Sequence, residues 1–214
     1  MSEIIETTAY RLDEFADVAK ERARAWYREA GFEHDWHDTV YEDFQRIAEI
    51  VGIRFKTRTV RLVGGATFEA PRIWFSGFSS QGDGACWQGN YSYRKLASAE
   101  IRSYAPQDRE IHRIADALQA IQQRNLYQLH AEVGHRGRYC HAFSMDIAVA
   151  RDSRVSQDMT DEAEAIVTDA LRDLAHWLYR QLEREYDHLS GDEAVDETLL
   201  VNGYTFTGEG RRFG

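Results

Sequence analysis

The spacing of apolar residues changes at Gly52, and this change constrains the fold more than any other feature of the sequence. Before Gly52, apolar side chains recur every three or four positions, whereas from residue 53 to residue 60 they alternate with polar ones. The first spacing gives a helix one apolar face, and the second gives a strand one apolar face. Both spacings recur along the chain, so we predict a fold that combines helices with half-buried strands.

Amphipathic patterns and capping residues place the predicted helices. Thr39 and Glu42 have capping-box spacing, and glycines at 31 and 52 are plausible helix ends. The predicted helices are residues 12–30, 39–51, 98–104, 107–123 and 161–189, followed by a short acidic helix after residue 190.

Alternating segments predict two hairpins after the strand at residues 53–60, which Gly64-Gly65 ends. The first hairpin pairs residues 73–79 with 85–93. Its connection at 81–84 contains Asp83-Gly84, which favours a tight turn because these residues tolerate positive φ. The second pairs residues 126–133 with 139–150, and we expect Val133 to lie opposite Tyr139.

These elements predict an α+β fold. We expect an antiparallel sheet of about four to five strands, built from two hairpins and packed against several helices, including a long C-terminal one. No linker, repeat or low-complexity segment interrupts the chain, so we predict a single domain over residues 1–214.

The charge balance narrows the classes of partner. The chain has 36 acidic and 26 basic residues, which gives a formal net charge of −10. General binders of duplex DNA carry an excess of Lys and Arg, so we expect no direct duplex DNA binding. No apolar run approaches the roughly 20 residues of a membrane span. The first residues also lack the pattern of a secretory signal, so we expect a cytoplasmic protein that does not bind membranes.

The first hairpin holds an unusual set of aromatic and small polar residues. A tight Asp-Gly turn would place alternate residues of its two strands on one face. That face carries Trp74, Ser76, Phe78, Ser80, Trp87, Gly89, Tyr91 and Tyr93. It is either core beneath the long helix or an aromatic platform for a planar ligand or a protein partner.

Polar residues of the two turns are further candidate binding residues. Gln81 and Asp83 lie in the first turn, and His135 and Arg136 lie in the second. Arg136 and Arg138 would either hold an anion or form a solvated, charged turn. One face of the second hairpin carries polar residues such as His130 and is either a solvated sheet face or a shallow groove.

Metal binding and catalysis receive little support from the residue patterns. His130 and His141 should point to opposite faces, and His135 falls in a turn, whereas zinc needs converging ligands. His34 and His37 fit a loop between helices better than a metal site. No Gly-x-Ser-x-Gly elbow or phosphate-binding loop is present. We therefore expect no metal, no cofactor and no catalytic residue.

The two cysteines, Cys86 and Cys140, fall in predicted strands. In a chain without an export signal, we interpret them as reduced packing residues of a cytoplasmic protein.

The run Trp74-Phe-Ser-Gly-Phe-Ser-Ser-Gln-Gly-Asp-Gly-Ala-Cys-Trp-Gln-Gly89 resembles a small family of phages and prophages. Members of that family are sometimes labelled antitoxins of toxin–antitoxin stability systems. The likeness covers residues 34–206, which makes residues 1–33 a helical N-terminal addition. It supplies no catalytic residue and implies a mobile-element setting, in which small proteins block a host or toxin machine by binding it.

The leading hypothesis is a non-enzymatic binding protein that inhibits a protein partner. The partner would be a host-defence complex, in the manner of an anti-CRISPR protein, or a toxin, and the chain could form a homodimer. One alternative is a nucleotide-binding or hydrolytic protein with its site at residues 76–83. The other is a structural or assembly protein of a virion.

Overall fold

The structure is a computed structural model that describes residues 8–32, 35–153 and 157–213 of the 214-residue chain. Within these ranges it contains six α-helices and eight strands, and all paired strands are antiparallel. The α+β class predicted from the sequence is confirmed. The helices are α1 (Asp17–Trp26), α2 (Asp38–Val51), α3 (Ala97–Tyr104), α4 (Arg109–Arg124), α5 (Ala163–Ser190) and α6 (Asp192–Val201).

The strands form one sheet of four strands and two sheets of two. They are β1 (Ile53–Phe55), β2 (Thr57–Arg61), β3 (Thr67–Pro71), β4 (Ile73–Phe75), β5 (Ala85–Trp87), β6 (Gly89–Ser92), β7 (Leu129–His135) and β8 (Met145–Arg151). The larger sheet has the order β1-β6-β7-β8, whereas β2 pairs with β3 and β4 pairs with β5. The sequence did not predict β3, and the predicted strand at residues 53–60 is divided into β1 and β2.

The chain divides into two compact units. The smaller contains the residues up to Asp38 and those from Glu183 onward, and the larger contains Thr39–Leu182. A single domain over residues 1–214 stays a prediction, and the proposed boundary between residues 33 and 34 lies outside the described residues. No helix of the described chain combines the length and the apolar character that crossing a membrane requires.

The smaller unit is built around an aromatic core. Its fully buried residues include Leu12, Ala23, Val195, Leu199 and Phe206, with Phe15, Trp26, Phe32 and Tyr204 packed against them. The predicted helix over residues 12–30 is wrong at its start, because a 3₁₀ turn and an extended segment at Phe15 and Ala16 precede α1. The Phe15 ring lies 6.1 Å from the Phe206 ring, so packing in this core overrides the helical spacing.

An ion-pair network joins α1 to α6. Arg24 donates from Nε to Asp196 Oδ1 at 2.7 Å and from Nη2 to Asp196 Oδ2 at 2.8 Å. Lys20 contacts the same carboxylate at 2.8 Å, and Arg24 also donates to Asp192 at 2.7 Å. Only 16% of the Arg24 side chain and 18% of the Asp196 side chain are exposed. Hydrogen bonds from Arg24, together with those from Lys20, lower the pKa of Asp196 below its ordinary value of 3.8.

In the larger unit, the sheet buries one face beneath helices. The Phe44 ring of α2 lies 5.4 Å from Phe55 of β1 and 6.2 Å from Trp177 of α5. On α4, buried Gln122 donates to the Leu129 carbonyl at 2.7 Å and accepts from the Leu129 amide at 3.1 Å. These contacts place α2 and α4 against the sheet, and α5 against α2. Alternate residues on the other face, such as Arg54, are exposed.

The second hairpin forms, but its predicted register is wrong. Val133 lies opposite Ile147 instead of Tyr139. The connection is longer than expected because it contains a 3₁₀ turn at Ala142–Ser144. The Ser144 hydroxyl stabilises this connection by donating to the carbonyl oxygens of Tyr139 and His141 at 2.9 and 2.7 Å.

The ion-pair network generates a prediction for Asp196→Asn. We expect this variant to lower the free energy of unfolding by about 2 kcal/mol at neutral pH, because the charged hydrogen bonds to Arg24 weaken. A carboxyl group whose pKa is lowered by folding stabilises the protein above its unfolded pKa, and that stabilisation is lost as pH falls through the folded pKa. The difference between wild type and variant should therefore shrink below about pH 4.

Urea unfolding followed by tryptophan fluorescence measures this difference. Glu29→Gln is the matched control because Glu29 is an exposed acid in the same unit. Equal unfolding midpoints for wild type and Asp196→Asn at neutral pH would contradict the role given to the network.

Candidate functional site

The backbones of Lys56, Arg72 and Gln88 are joined by three hydrogen bonds that form a closed cycle. The Lys56 amide donates to the Gln88 carbonyl at 2.9 Å, the Gln88 amide to the Arg72 carbonyl at 2.9 Å, and the Arg72 amide to the Lys56 carbonyl at 2.7 Å. These residues, here called the junction, lie between β1 and β2, between β3 and β4, and between β5 and β6. The junction therefore fixes where the two smaller sheets leave the larger one.

The side chains of the junction reach across the exposed face of the sheet. Arg72 Nη1 donates to Gln88 Oε1 at 2.9 Å, and Gln88 Nε2 donates to the His135 carbonyl at 3.1 Å. Lys56 Nζ donates to Glu132 Oε1 at 2.7 Å, which lowers the pKa of this carboxyl. The junction is thus bonded to β7 through two side chains.

A polar cavity of about 320 Å³ lies next to these contacts. It is lined by Gln88, Glu132, Gly134, His135, Arg136, Asp146 and Ala148. Arg136 and Asp146 face each other at 3.9 Å with most of their side chains exposed, so their charges remain available to a ligand. The polar face of the second hairpin, predicted as either a solvated face or a groove, contains this shallow cavity.

The structure brings Trp74 together with His135 and Arg136 among the predicted binding residues. The Trp74 ring lies 5.6 Å from the His135 ring at an interplanar angle of 34°. His135 Nε2 lies 2.8 Å from the Tyr139 carbonyl oxygen, which holds its ring against Trp74. Trp74 is half-buried, and His135 contributes to the cavity lining.

The predicted aromatic platform does not form. Ile73 lies opposite Trp87 and Trp74 opposite Cys86, so the two tryptophans point to opposite faces. The register differs because β4 and β5 are joined by nine residues, 76–84, and not by a tight Asp-Gly turn. Trp87 is fully buried against Phe55, and Tyr91 is also buried, so both belong to the core.

The loop at residues 76–84 uses its polar groups to hold its own shape. Asp83 Oδ2 accepts from the amides of Ser80 and Ser79 at 2.7 and 2.9 Å, and these bonds lower the pKa of the Asp83 carboxyl. The Ser76 hydroxyl accepts from the Gly84 amide at 3.2 Å.

The remaining predicted residues of this loop do not line the cavity. The Phe78 ring lies 5.5 Å from the ring of Tyr179 on α5. Ser80 and Gln81 are exposed. The structure therefore does not assemble the predicted site at residues 76–83 with His135 and Arg136.

An antiparallel arm, residues 57–71, is the feature that sequence reasoning missed. It consists of β2, β3 and the turn between them, where Gly65 adopts a φ of +83° that suits glycine. Its tip exposes three apolar side chains: Leu62 is 51% exposed, Phe68 48%, and Val63 fully. The pair Gly64-Gly65 between two Thr-containing segments could have indicated this hairpin.

The region around the arm is basic although the chain is acidic. Residues 53–72 contain five basic residues and one acidic residue, whereas the chain has a net charge of −10. Arg54, Arg58 and Arg61 are exposed and have no carboxylate partner within the described ranges. The single acid, Glu69, accepts from the Thr59 hydroxyl at 2.6 Å. The arm therefore presents unpaired guanidinium groups behind an apolar tip.

The predicted histidine candidates are dispersed. His130 Nδ1 lies 3.6 Å from Asp152, whereas the His141 ring accepts from the Phe143 amide at 3.1 Å. His34 lies outside the described residues. In the part of the chain that the structure describes, no three His, Cys, Asp or Glu side chains are arranged to hold a metal ion.

A family model described as Domain of unknown function (DUF8835) matches residues 36–192, more than half of the chain. The chain belongs to this family. The DUF8835 region contains the junction, the cavity, the arm and both cysteines. No curated protein and no solved structure matches the chain.

The junction generates a prediction for Gln88→Ala. This change removes the side-chain hydrogen bonds to Arg72 and to the His135 carbonyl, and we expect it to lower the free energy of unfolding by about 1–2 kcal/mol. Asn90→Ala is the matched control, since Asn90 is an exposed amide two residues away. Urea unfolding of both variants measures the effect, and equal losses in the two would contradict the bridging role of Gln88.

Proposed function

We propose that the chain is a non-enzymatic binding protein that docks onto a protein partner through the arm and the adjoining cavity. The observation that carries this proposal is the tip of the arm, where the apolar side chains of Leu62, Val63 and Phe68 are all exposed within one short hairpin. Apolar side chains exposed in a group are typical of interaction sites, whereas single ones are ordinary surface features.

The arm is suited to binding because its backbone is ordered before a partner arrives. Five residue pairs join β2 to β3, from Thr57 opposite Pro71 to Arg61 opposite Thr67. The junction holds its base. A segment that is already ordered loses little conformational entropy on binding, so more of the contact energy remains as affinity.

The charges of the arm indicate the partner's surface. Protein interfaces contain a few apolar anchors surrounded by polar groups, and arginine is enriched among the residues that contribute most. Arg58 and Arg61 lie on β2, the strand that leads to the tip, and are exposed. A partner that fits this arrangement offers an apolar pocket bordered by carboxylates.

The cavity gives the docking surface a second, polar contact point. It offers a guanidinium at Arg136, carboxylates at Glu132 and Asp146, and the His135 ring. Such a mixed lining suits a polar side chain of a partner better than an apolar one.

We further propose that binding inhibits the partner. The resemblance to a phage and prophage family supports a mobile-element origin, a cytoplasmic location and a host-defence component or toxin as the partner. A homodimer and the absence of direct duplex DNA binding stay predictions, as does the virion alternative. The nucleotide-binding alternative gains no support, because the Asp83 carboxylate already accepts two amide hydrogen bonds within its own loop.

The tip provides the test of this proposal. The triple variant Leu62→Ser, Val63→Ser, Phe68→Ser should weaken partner binding by at least about 30-fold, the loss typical of removing a dominant interface anchor. Its free energy of unfolding should change by less than about 0.5 kcal/mol per position, because these side chains are exposed. Affinity capture from host lysate, followed by titration of the captured protein, measures the loss.

The matched control is Val18→Ser, Leu200→Ser, Val201→Ser, which changes three apolar residues of similar exposure in the smaller unit. This control should retain the partner at wild-type affinity. A partner that binds the tip variant and the control equally well would rule out the arm as the docking element.

A further inference from the structure

Both cysteines of the chain lie in the larger unit, on segments that pack against each other. Cys86 in β5 is fully buried, and Cys140 in the connection between β7 and β8 is partly exposed. Both are free thiols, and the neighbouring Cys140 is one of the groups that raise the pKa of the Cys86 thiol. Two thiols on directly packed segments are placed to form a disulfide without a large movement of the backbone.

The backbone around the thiols is held in place on both sides. The Ser76 hydroxyl donates to the Cys140 carbonyl at 3.3 Å and accepts from the Gly84 amide at 3.2 Å. A Cβ atom on Gly84 would lie 3.0 Å from the Cys140 carbonyl oxygen, so a larger residue would have to push the two segments apart by a few tenths of an ångström. The segment leading into Cys86 is therefore packed directly against the segment that carries Cys140.

The two cysteines differ in their exposure to solvent. Burial, reinforced by the neighbouring Cys140, raises the pKa of the Cys86 thiol far above its ordinary value. Cys86 is therefore protonated and buried, whereas Cys140 is partly exposed to solvent and to small oxidants. Because of this difference, Cys140 is the thiol that attacks the oxidant, and Cys86 is the resolving thiol that completes the disulfide.

We propose that Cys86 and Cys140 form a reversible redox site that closes to an intramolecular disulfide on exposure to a hydroperoxide. The Cys140 sulfur, as thiolate, attacks the peroxide, an S–O bond forms, and the O–O bond breaks to release water or an alcohol. The Cys86 sulfur then attacks the resulting sulfenic acid, the S–S bond forms, and the oxygen leaves as water with the Cys86 proton. Two thiols are oxidised and one peroxide is reduced.

The disulfide would act on a segment that leads to the cavity. The connection carrying Cys140 begins directly after β7, whose last residue is His135, and includes Arg136. Within it, the Tyr139 carbonyl contacts His135 Nε2 at 2.8 Å. Oxidation would therefore link β5 to the connection that begins beside His135 and Arg136 of the cavity lining. This inference does not depend on the function proposed for the arm.

Treatment of the native wild-type protein with hydrogen peroxide, followed by intact-mass measurement, tests the proposal. We expect the loss of the mass of two hydrogen atoms, no free thiol after unfolding in alkylating reagent, and complete reversal by dithiothreitol. The oxidised chain should run as a monomer on a non-reducing gel. Its melting temperature should rise by about 5 to 10 °C, because the cross-link restricts the unfolded chain.

Two single variants assign the roles of the sulfurs. Cys86→Ala should accumulate a sulfenic acid at Cys140 that dimedone traps, whereas Cys140→Ser should stay unmodified because Cys86 is buried. The wild type decides the proposal even if a variant fails to fold. Two free thiols after peroxide treatment, a dimedone adduct at Cys140 with Cys86 still reduced, or a disulfide between two chains would each overturn it.

Discussion

The cyclic hydrogen bonds among the backbones of Lys56, Arg72 and Gln88 are the interaction on which the larger unit depends. Each residue donates a hydrogen bond from its amide and accepts one at its carbonyl. The polar backbone groups at the three strand breaks therefore pair with one another. A buried or half-buried backbone group without a partner destabilises a fold, and strand breaks are where such groups arise. In the junction, three hydrogen bonds pair such groups at three strand breaks. The two small sheets can therefore branch from the larger sheet without this loss of stability.

The features that bear on function all start from this junction. The arm continues from Lys56 and Arg72, the first hairpin follows Arg72, and the side chain of Gln88 reaches the wall of the cavity at His135. Because one set of bonds places all three, the apolar tip, the polar cavity and the thiol pair hold defined positions within one unit. A binding surface built on such a base needs little ordering when a partner arrives.

The sequence predicts those parts that have a buried face. The stripe of α4 predicts a helix at residues 107–123, and the structure has it at Arg109–Arg124. The arm has no fully buried residue, and the alternation in β3 is limited to Phe68 and Ala70, so its glycine turn is the stronger signal in the sequence. The registers of both hairpins were predicted on the assumption of short turns. Both connections are longer than assumed, so both predicted registers were wrong. For this reason Trp74 lies beside His135, whereas Trp87, which was predicted to share its face, is buried in the core. Gln88 gave no signal, because its role depends on contacts between residues distant in sequence.

Hydrogen exchange at the amides of Lys56, Arg72 and Gln88, followed residue by residue by nuclear magnetic resonance, tests the central claim most directly. The cyclic bonding predicts that all three amides are protected and that their free energies of opening match those of central β7 residues such as Ala131. Exchange of these three amides at the rate of an unprotected chain, while Ala131 remains protected, would contradict the account.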